Sequence, residues 1–386
     1  MSTRGFSTSS IHEAEDPEKT GSGDVITPIN LSTTFRKEGI DRLDEGYVYS
    51  RSGNPTRGLL EEKLASLEKA DFGLAFSSGM AAETNVLLSL LGQGDHVLAC
   101  DDLYGGTKRL FNEVMTNFGL EFDYVDATDP TNVETALNNN TKILWLESPT
   151  NPLMKLCDIE KLSEIAHEGG LTVVVDNTFA TPYFQQPLEL GADLVVHSLT
   201  KYLGGHSDVV GGGNLTRDER LYEKMSFNQN AVGAVLSPFD SWLVNRGLKS
   251  LKPRMELHHS NAKEIASWLT SRPKVKKVFY PGLASHPQQG LAKKQMDGFG
   301  GMLSFRIEGG KEEAVNFVEN LDVFLLAESL GGVESLVEIP SLMTHASMSD
   351  EERAKIGITD DLIRLSIGIE EVEDLLADLG KAFERV

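Results

Sequence analysis

Cysteine and tryptophan are scarce in this chain, with two and three among 386 residues, and aromatic residues make up only 7%. Cys100 and Cys157 form no CxxC pair and sit in apolar surroundings. They read as buried filler rather than as a disulfide or a zinc site. No apolar run approaches the ~20 residues that span a bilayer, and residues 1–23 lack the apolar core of a signal peptide. The cytoplasm is therefore the expected compartment, and no membrane partner is expected. Basic residues are also few: 36 Lys and Arg against 58 Asp and Glu give a net charge of −22. That balance argues against nucleic acid as a partner. An anionic substrate has to be caught by a few local arginines rather than by the global field. The sequence has no GxGxxG and no GxxxxGK[ST], so dinucleotide and P-loop nucleotide readings lose their main support. His258 and His259 are adjacent, which is unsuited to joint metal ligation from one helix face; they read as solvent or interface residues, and no metal site is expected.

What is present is a regular alternation. Short apolar runs at 72–76, 96–100, 121–126, 143–147, 171–178 and 192–197 read as strands. Between them lie helical patterns such as Leu59, Leu60, Leu64 and Leu67, or Ile159, Leu162, Ile165 and Ala166. Such alternation predicts a mostly parallel sheet with crossover helices. Beyond residue 214 the pattern turns more helical and charged. A long helix over 242–257 is expected to link to a second unit with strands at 275–280, 301–307 and 323–326, closed by an amphipathic helix from 370. Residues 1–24 read as a flexible arm. The expected division is 1–56, 57–247 and 248–386.

One stretch organises the rest. Ser198-Leu199-Thr200-Lys201 follows an apolar run and precedes glycines, so Lys201 should sit at a strand's carboxyl end, where open α/β sheets bind ligands. An amine in a dry pocket loses its proton easily and attacks carbonyls; Ser198 and Thr200 add hydroxyls suited to an anion. Alone, this motif fits a surface-loop lysine equally well. The neighbouring run that ends in Asp176-Asn177-Thr178 tips the balance. Ser77-Ser78-Gly79-Met80 is a strand-to-helix turn whose amides suit an anion, although Ser77 or Ser78 also serves as a plain helix cap.

Taken together, Asp176-Asn177-Thr178 and Ser198-Leu199-Thr200-Lys201 resemble the signature of the Cys/Met metabolism enzymes, the cystathionine γ-lyase and γ-synthase family, which depend on pyridoxal 5′-phosphate (PLP). The likeness runs from about Thr27 to the last helix. It implies an α/β fold of the aspartate aminotransferase type (fold type I), with a large, mostly parallel seven-stranded sheet and a smaller C-terminal α+β domain. It implies that Lys201 binds the cofactor aldehyde and moves protons, and that Asp176 meets the ring nitrogen. Tyr104 stacks on the ring and assists proton transfer. Gly79, Met80, Ser198 and Thr200 hold the phosphate, and Asn151 the ring hydroxyl. Tyr49 and Arg51 cross to a neighbouring subunit's cofactor, within a homotetramer built as a dimer of catalytic dimers. On the substrate side it implies Arg364 and Ser329 for the α-carboxylate, with Glu328, Asn151, Tyr49 and Arg109 nearby. The stretch from Met343 to Ser347 fits the same side. Gly106 stands where methionine γ-lyases carry a cysteine, which argues against that subgroup. The implied activity is cleavage of L-cystathionine to L-cysteine, 2-oxobutyrate and ammonia. The alternatives are γ-replacement on an O-acyl-L-homoserine, or both activities in one trans-sulfuration enzyme. A non-catalytic PLP-fold binding protein is the alternative from another class, but neither Lys201 nor Arg364 is missing.

Overall fold

The computed structural model describes residues 4–17, 23–42, 46–346 and 348–386. Ser347, and residues 1–3, 18–22 and 43–45 of the expected arm, lie outside the described residues. Seven strands form the larger sheet: β1 (Phe72–Phe76), β2 (His96–Cys100), β3 (Glu121–Val125), β4 (Thr141–Glu147), β5 (Thr172–Asp176), β6 (Leu194–Ser198) and β7 (Gly212–Thr216). Their order is β1-β7-β6-β5-β4-β2-β3, and only β7 runs against the rest. Helices cover this sheet, so its central strands are apolar on both faces: Ile143, Leu144, Val173, Val174, Leu194 and Val195 are all buried. The chain leaves β2 for the edge strand β3 and returns to β4 on the other side of β2. A crevice opens at that reversal, beyond the carboxyl ends of the strands.

Five strands form the second sheet: β8 (Val275–Phe279), β9 (Met302–Ile307), β10 (Leu325–Leu326), β11 (Leu336–Glu338) and β12 (Leu362–Ser366), in the order β10-β11-β12-β9-β8. With the closing helix Val372–Arg385 it encloses a separate core around Leu303, Phe305, Phe317, Leu375 and Leu379. The mixed α/β architecture, with one large, mostly parallel sheet and a smaller C-terminal sheet-and-helix unit, is the expected one.

Four local expectations fail for physical reasons. The arm is not patternless: α1 (Phe6–His12) packs Phe6 on Tyr183, with ring centroids 5.0 Å apart. Just beyond α1, Glu15 pairs with Lys63 and Lys249, and Lys63 belongs to α2 (Pro55–Glu68). These partners are remote in sequence, so no local pattern announces them. Residues 242–257 are not one helix. Helix Pro238–Leu248 ends and helix Leu251–Leu269 restarts, with Pro253 in its first turn, because proline cannot donate to the preceding turn. Residues 323–326 contribute only the two-residue β10, since the amides of Asp322, Val323 and Phe324 donate to the Asp378 carboxylate at 2.8–3.1 Å. His258 and His259 are not solvent residues: His258 is fully buried with Nδ1 2.7 Å from the Ile367 carbonyl, and His259 Nδ1 lies 3.1 Å from the Tyr280 hydroxyl.

Candidate active site

The crevice holds a cavity of about 290 Å³, near the lower end of the range for small-molecule sites. Five strand ends contribute to its wall. β1 turns through Ser78 into α3 (Gly79–Leu90), with Gly79, Met80 and Glu83 facing the cavity. β2 leads to Tyr104, β4 to Glu147 and Asn151, β5 to Asp176 and Thr178, and β6 to Ser198, Thr200 and Lys201. The smaller sheet's unit closes the space with Glu328, Ser329, Thr344 and Arg364. An open groove of about 900 Å³ between α1, α2 and β1 is larger, but it shares no lining residue with this cavity.

The anion end follows from the start of α3. Ser78 caps the helix: its hydroxyl takes the Ala81 amide at 3.0 Å and its carbonyl the Ala82 amide at 3.1 Å. That leaves the first amides, Gly79 and Met80, at the positive end of the helix. Glycine at 79 leaves room for Ser198, since a Cβ there would stand 3.1 Å from the Ser198 Cβ. Capping and anion binding are thus compatible, and Ser198 and Thr200 add their hydroxyls to the same wall.

Asp176 is enclosed beneath the cavity. Its Oδ1 accepts the Thr178 amide at 2.9 Å, and the Thr178 hydroxyl takes the Ser198 amide at 2.9 Å, which ties the ends of β5 and β6 together. Burial pushes the Asp176 carboxyl up, against the opposing pull of Thr178 and His197.

Lys201 Nζ donates to Ser329 Oγ at 2.8 Å. Burial, reinforced by the Arg364 charge, lowers its pKa from 10.5 to about 8, while Glu338 and Glu328 pull the other way. A substantial fraction of a free amine near neutral pH follows, as a nucleophile for carbonyls needs. Ser329 adopts φ 98°, a conformation costly for a side-chain-bearing residue. It directs its hydroxyl to Lys201 and its carbonyl to Arg364 Nη2 at 2.9 Å.

Arg364 is held by register. On the antiparallel pair β11–β12 it stands directly opposite Glu338, and the two buried side chains meet at 3.0 Å. Arg364 Nη1 also donates to Asn151 Oδ1 at 2.9 Å. With five N–H groups on the fork, donors remain for a carboxylate in the cavity. The Glu338 carboxyl is raised by burial and lowered by Arg364 and Thr344, whose hydroxyl donates to it at 2.7 Å.

Of the residues expected from the sequence, Lys201, Asp176, Tyr104, Gly79, Met80, Ser198, Thr200, Asn151, Arg364, Ser329 and Glu328 line this one cavity. Three do not. Arg109 is exposed, close enough to Tyr104 for its charge to act there. Tyr49 and Arg51 are exposed too, with the guanidinium 5.2 Å from the tyrosine ring centroid and Nε donating to Asn230 at 3.2 Å. Sequence reasoning assigned no site role to Glu83, Glu147 or Glu338. The only signal was an isolated acid in an apolar run, as in Leu336-Val337-Glu338-Ile339.

The residues fit PLP. Hydroxyls and free helix amides suit a phosphate, an enclosed acid suits a protonated ring nitrogen, and a desolvated amine suits an aldehyde. A cavity of this kind belongs to an α/β enzyme that works through a carbonyl-bearing phosphorylated cofactor. The chain is a member of the Cys/Met metabolism PLP-dependent enzymes, whose family model matches residues 7–384. It is 51% identical over 378 residues to cystathionine γ-lyase of Dictyostelium discoideum, covering 98% of this chain and 97% of that one. It is 52% identical over 376 residues to cystathionine β-lyase of Lactococcus lactis subsp. cremoris, covering 97% and 98%. The structure of cystathionine γ-lyase from Lactobacillus plantarum complexed with L-serine superposes with a TM-score of 0.95 at 46% identity, covering 99% of each chain.

Proposed function

We propose that this chain is a PLP-dependent carbon–sulfur lyase that cleaves L-cystathionine at Cγ to L-cysteine, 2-oxobutyrate and ammonia. The observation that carries this reading is the shared cavity, which sets the lowered-pKa amine of Lys201 beside the carboxylate-binding fork of Arg364. PLP, when bound, supplies the electron sink for charge developing at the substrate Cα. The side chains do the rest. Arg364 grips the α-carboxylate as a bidentate fork that lysine could not reproduce, with Ser329 and Asn151 beside it. Lys201 would hold the cofactor's aldehyde, and its amine would be the base that takes the substrate Cα proton and returns it further along the substrate. Asp176 keeps the ring nitrogen protonated, because an adjacent anion stabilises the cation. Burial and the Glu83 charge hold the Tyr104 hydroxyl above its usual pKa, so it keeps a proton to give to the departing sulfur. Gly79, Met80, Ser198 and Thr200 hold the phosphate. Glu328 sits on the substrate side, and Arg109, exposed and within reach of Tyr104 by its charge, is read as a substrate-side charge.

The phosphate end is short of positive charge within one chain, since Lys201 and Arg364 are the only cations lining the cavity among the described residues. The exposed Tyr49 and Arg51 supply what is lacking if they reach a second copy's cofactor. This supports residues 1–56 as an exchanged arm, 57–247 as the cofactor-binding unit and 248–386 as the smaller unit. It also supports a homotetramer made of two catalytic dimers. Exposed apolar side chains such as Leu31, Val48, Phe227 and Phe239 are consistent with such contacts. Among the described residues no helix is long and apolar enough to cross a membrane; the cytoplasm is the proposed compartment and a small amino acid the proposed substrate.

The likeness to cystathionine β-lyase of L. lactis favours a second reading, elimination at Cβ of the same substrate. The keto acid decides between them. Purified protein with PLP and L-cystathionine should release mainly 2-oxobutyrate; pyruvate as the main product would move the assignment to β-elimination. Rapid cystathionine formation from an O-acyl-homoserine and cysteine, with negligible cleavage, would make it a synthase.

A further inference from the structure

The proposed reaction uses one acid at the ring nitrogen, Asp176, and Glu328 on the substrate side, yet two more buried carboxyls line the same cavity. Glu83 on α3 and Glu147 at the end of β4 are both buried. Their situations differ. Glu147 Oε2 accepts the Tyr104 amide at 3.0 Å. Glu83 Oε1 accepts the Thr107 hydroxyl at 3.1 Å, while its Oε2 is enclosed without a partner among the described residues. Ala82, Val86 and Leu87 are buried around it on the same helix, and Glu83 itself is only 3% exposed. An apolar side chain would suit that setting better than an acid with a spare oxygen. The cations of the cavity are committed elsewhere: Lys201 to Ser329, and Arg364 to Glu338, Asn151 and the Ser329 carbonyl.

We propose that Glu83 tunes the ring-nitrogen side of the site, giving up its proton when the cofactor's cationic ring settles beside Asp176. The inference rests on the PLP reading above. Glu83 is a positioning residue in this account, acting on the ring through the field it shares with Asp176.

The groups facing Glu83 come from several elements. Asp176 from β5, with Tyr104 and Thr107 from the segment after β2, act on it directly, and Glu147 from β4, Lys201 after β6, and Glu328 and Arg364 from the smaller unit line the same cavity. His197, whose charge reaches Asp176, is engaged with Glu68 at 2.5 Å. Burial and then the Asp176 charge push Glu83 well above the ordinary carboxyl range, with Thr107 opposing. Burial and then Asp176 push Glu147 up in the same way. Like charges so enclosed do not all ionise together, so burial and Asp176 bias Glu83 toward its protonated form in the cofactor-free protein. A cation arriving at Asp176 reverses the preference. The Tyr104 amide favours the ionised form of Glu147, whereas Glu83, with one oxygen lacking a donor among the described residues, keeps its proton until that cation arrives. Its O–H bond breaks, the electron pair stays on the carboxylate, and the proton passes to solvent or to an unprotonated ring nitrogen. On either route the native protein releases one proton more, or takes up one fewer, than a variant that cannot ionise at position 83.

The test is titration of the full-length chain, cleared of cofactor, with PLP in two buffers of different ionisation enthalpy. The native chain should release up to one proton per site more than Glu83→Gln. By linkage, its PLP affinity should rise with pH more steeply than that of Glu83→Gln, by up to about tenfold per pH unit. Thr107→Val removes the hydroxyl that favours the ionised form, and so should move this rise to higher pH without shrinking it. Equal proton release and equal pH slopes for native and Glu83→Gln chains would overturn the proposal, as would an unmoved profile in Thr107→Val. Failure of the native chain to bind PLP stoichiometrically would sink the cofactor reading itself, a separate and recognisable result.

Discussion

Replacing Lys201 by methionine keeps the length of the stem and removes the charge, which isolates what burying that charge costs. The amine's pKa of about 8 in the fold stands against 10.5 for a free lysine. That gap corresponds to roughly 3 kcal/mol. Between the two values the unfolded chain binds more protons than the folded one, so stability rises with pH across this window. Below pH 8 the full cost of a buried ammonium is present, and above about 10.5 it is gone. The lost hydrogen bond to Ser329 Oγ takes away roughly 1 kcal/mol from the variant, an offset that does not change with pH. The assay is urea unfolding of the cofactor-free chain and its Lys201→Met variant at one protein concentration, from pH 7 to 10.5. Other titrating groups contribute equally to both and cancel in the difference. The native chain should gain about 3 kcal/mol relative to the variant across the series. Parallel curves would refute the argument, because a solvated ammonium has no such penalty to lose.

Glu338→Gln leaves the buried Arg364 without its counter-charge and should cost about 3–5 kcal/mol in chemical unfolding; much of this should be absent when Arg364→Met is already in place. Glu15→Gln strands the fully buried Lys63 and should lower stability by about 3 kcal/mol at pH 7. Burial raises the Glu15 carboxyl, but the bonds to Lys249 and Lys63 outweigh it and leave the pKa below 4.5. Its contribution is therefore complete above that value and lost as pH falls through the lower, folded one, so thermal melts of native and variant should converge in acid. Neither Arg51→Ala nor Lys201→Ala should be active alone. Mixed and reassembled in equal amounts, they should recover about a quarter of native activity, since half the dimers carry one intact shared site; no recovery in verified hybrids would count against the exchanged arm.

Legibility followed chemical locality. Lys201 and Asp176 were readable because each ends a short apolar run and is followed by residues that break it. The α3 start was readable from Ser78-Gly79 for the same reason. Glu338 was not, because an acid in a strand announces a buried partner without naming it; the β11–β12 register supplies Arg364. Glu15 was unreadable in a segment of mixed charge, since Lys63 and Lys249 come to it from distant helices. The break at Lys249 and Ser250 was visible in Pro253 but masked by the helical pattern on either side.

The strand–helix alternation up to β6, the position of Lys201 just past the end of that strand, and that of Asp176 at the end of the neighbouring strand β5 were legible in the sequence alone, whereas β7, β11 and β12 were not read as strands. Each of the legible features depends on side-chain period and turn chemistry within a few residues. The tertiary structure decided which of the chain's charges share one dry space. It brought the smaller sheet's Arg364 to Lys201 beyond the larger sheet, lowered that amine's pKa, and left a cavity-lining acid on α3 with one enclosed oxygen unpartnered among the described residues. Those outcomes depend on desolvation and on distances between residues far apart in the chain, quantities that come into existence only when the two sheets pack together.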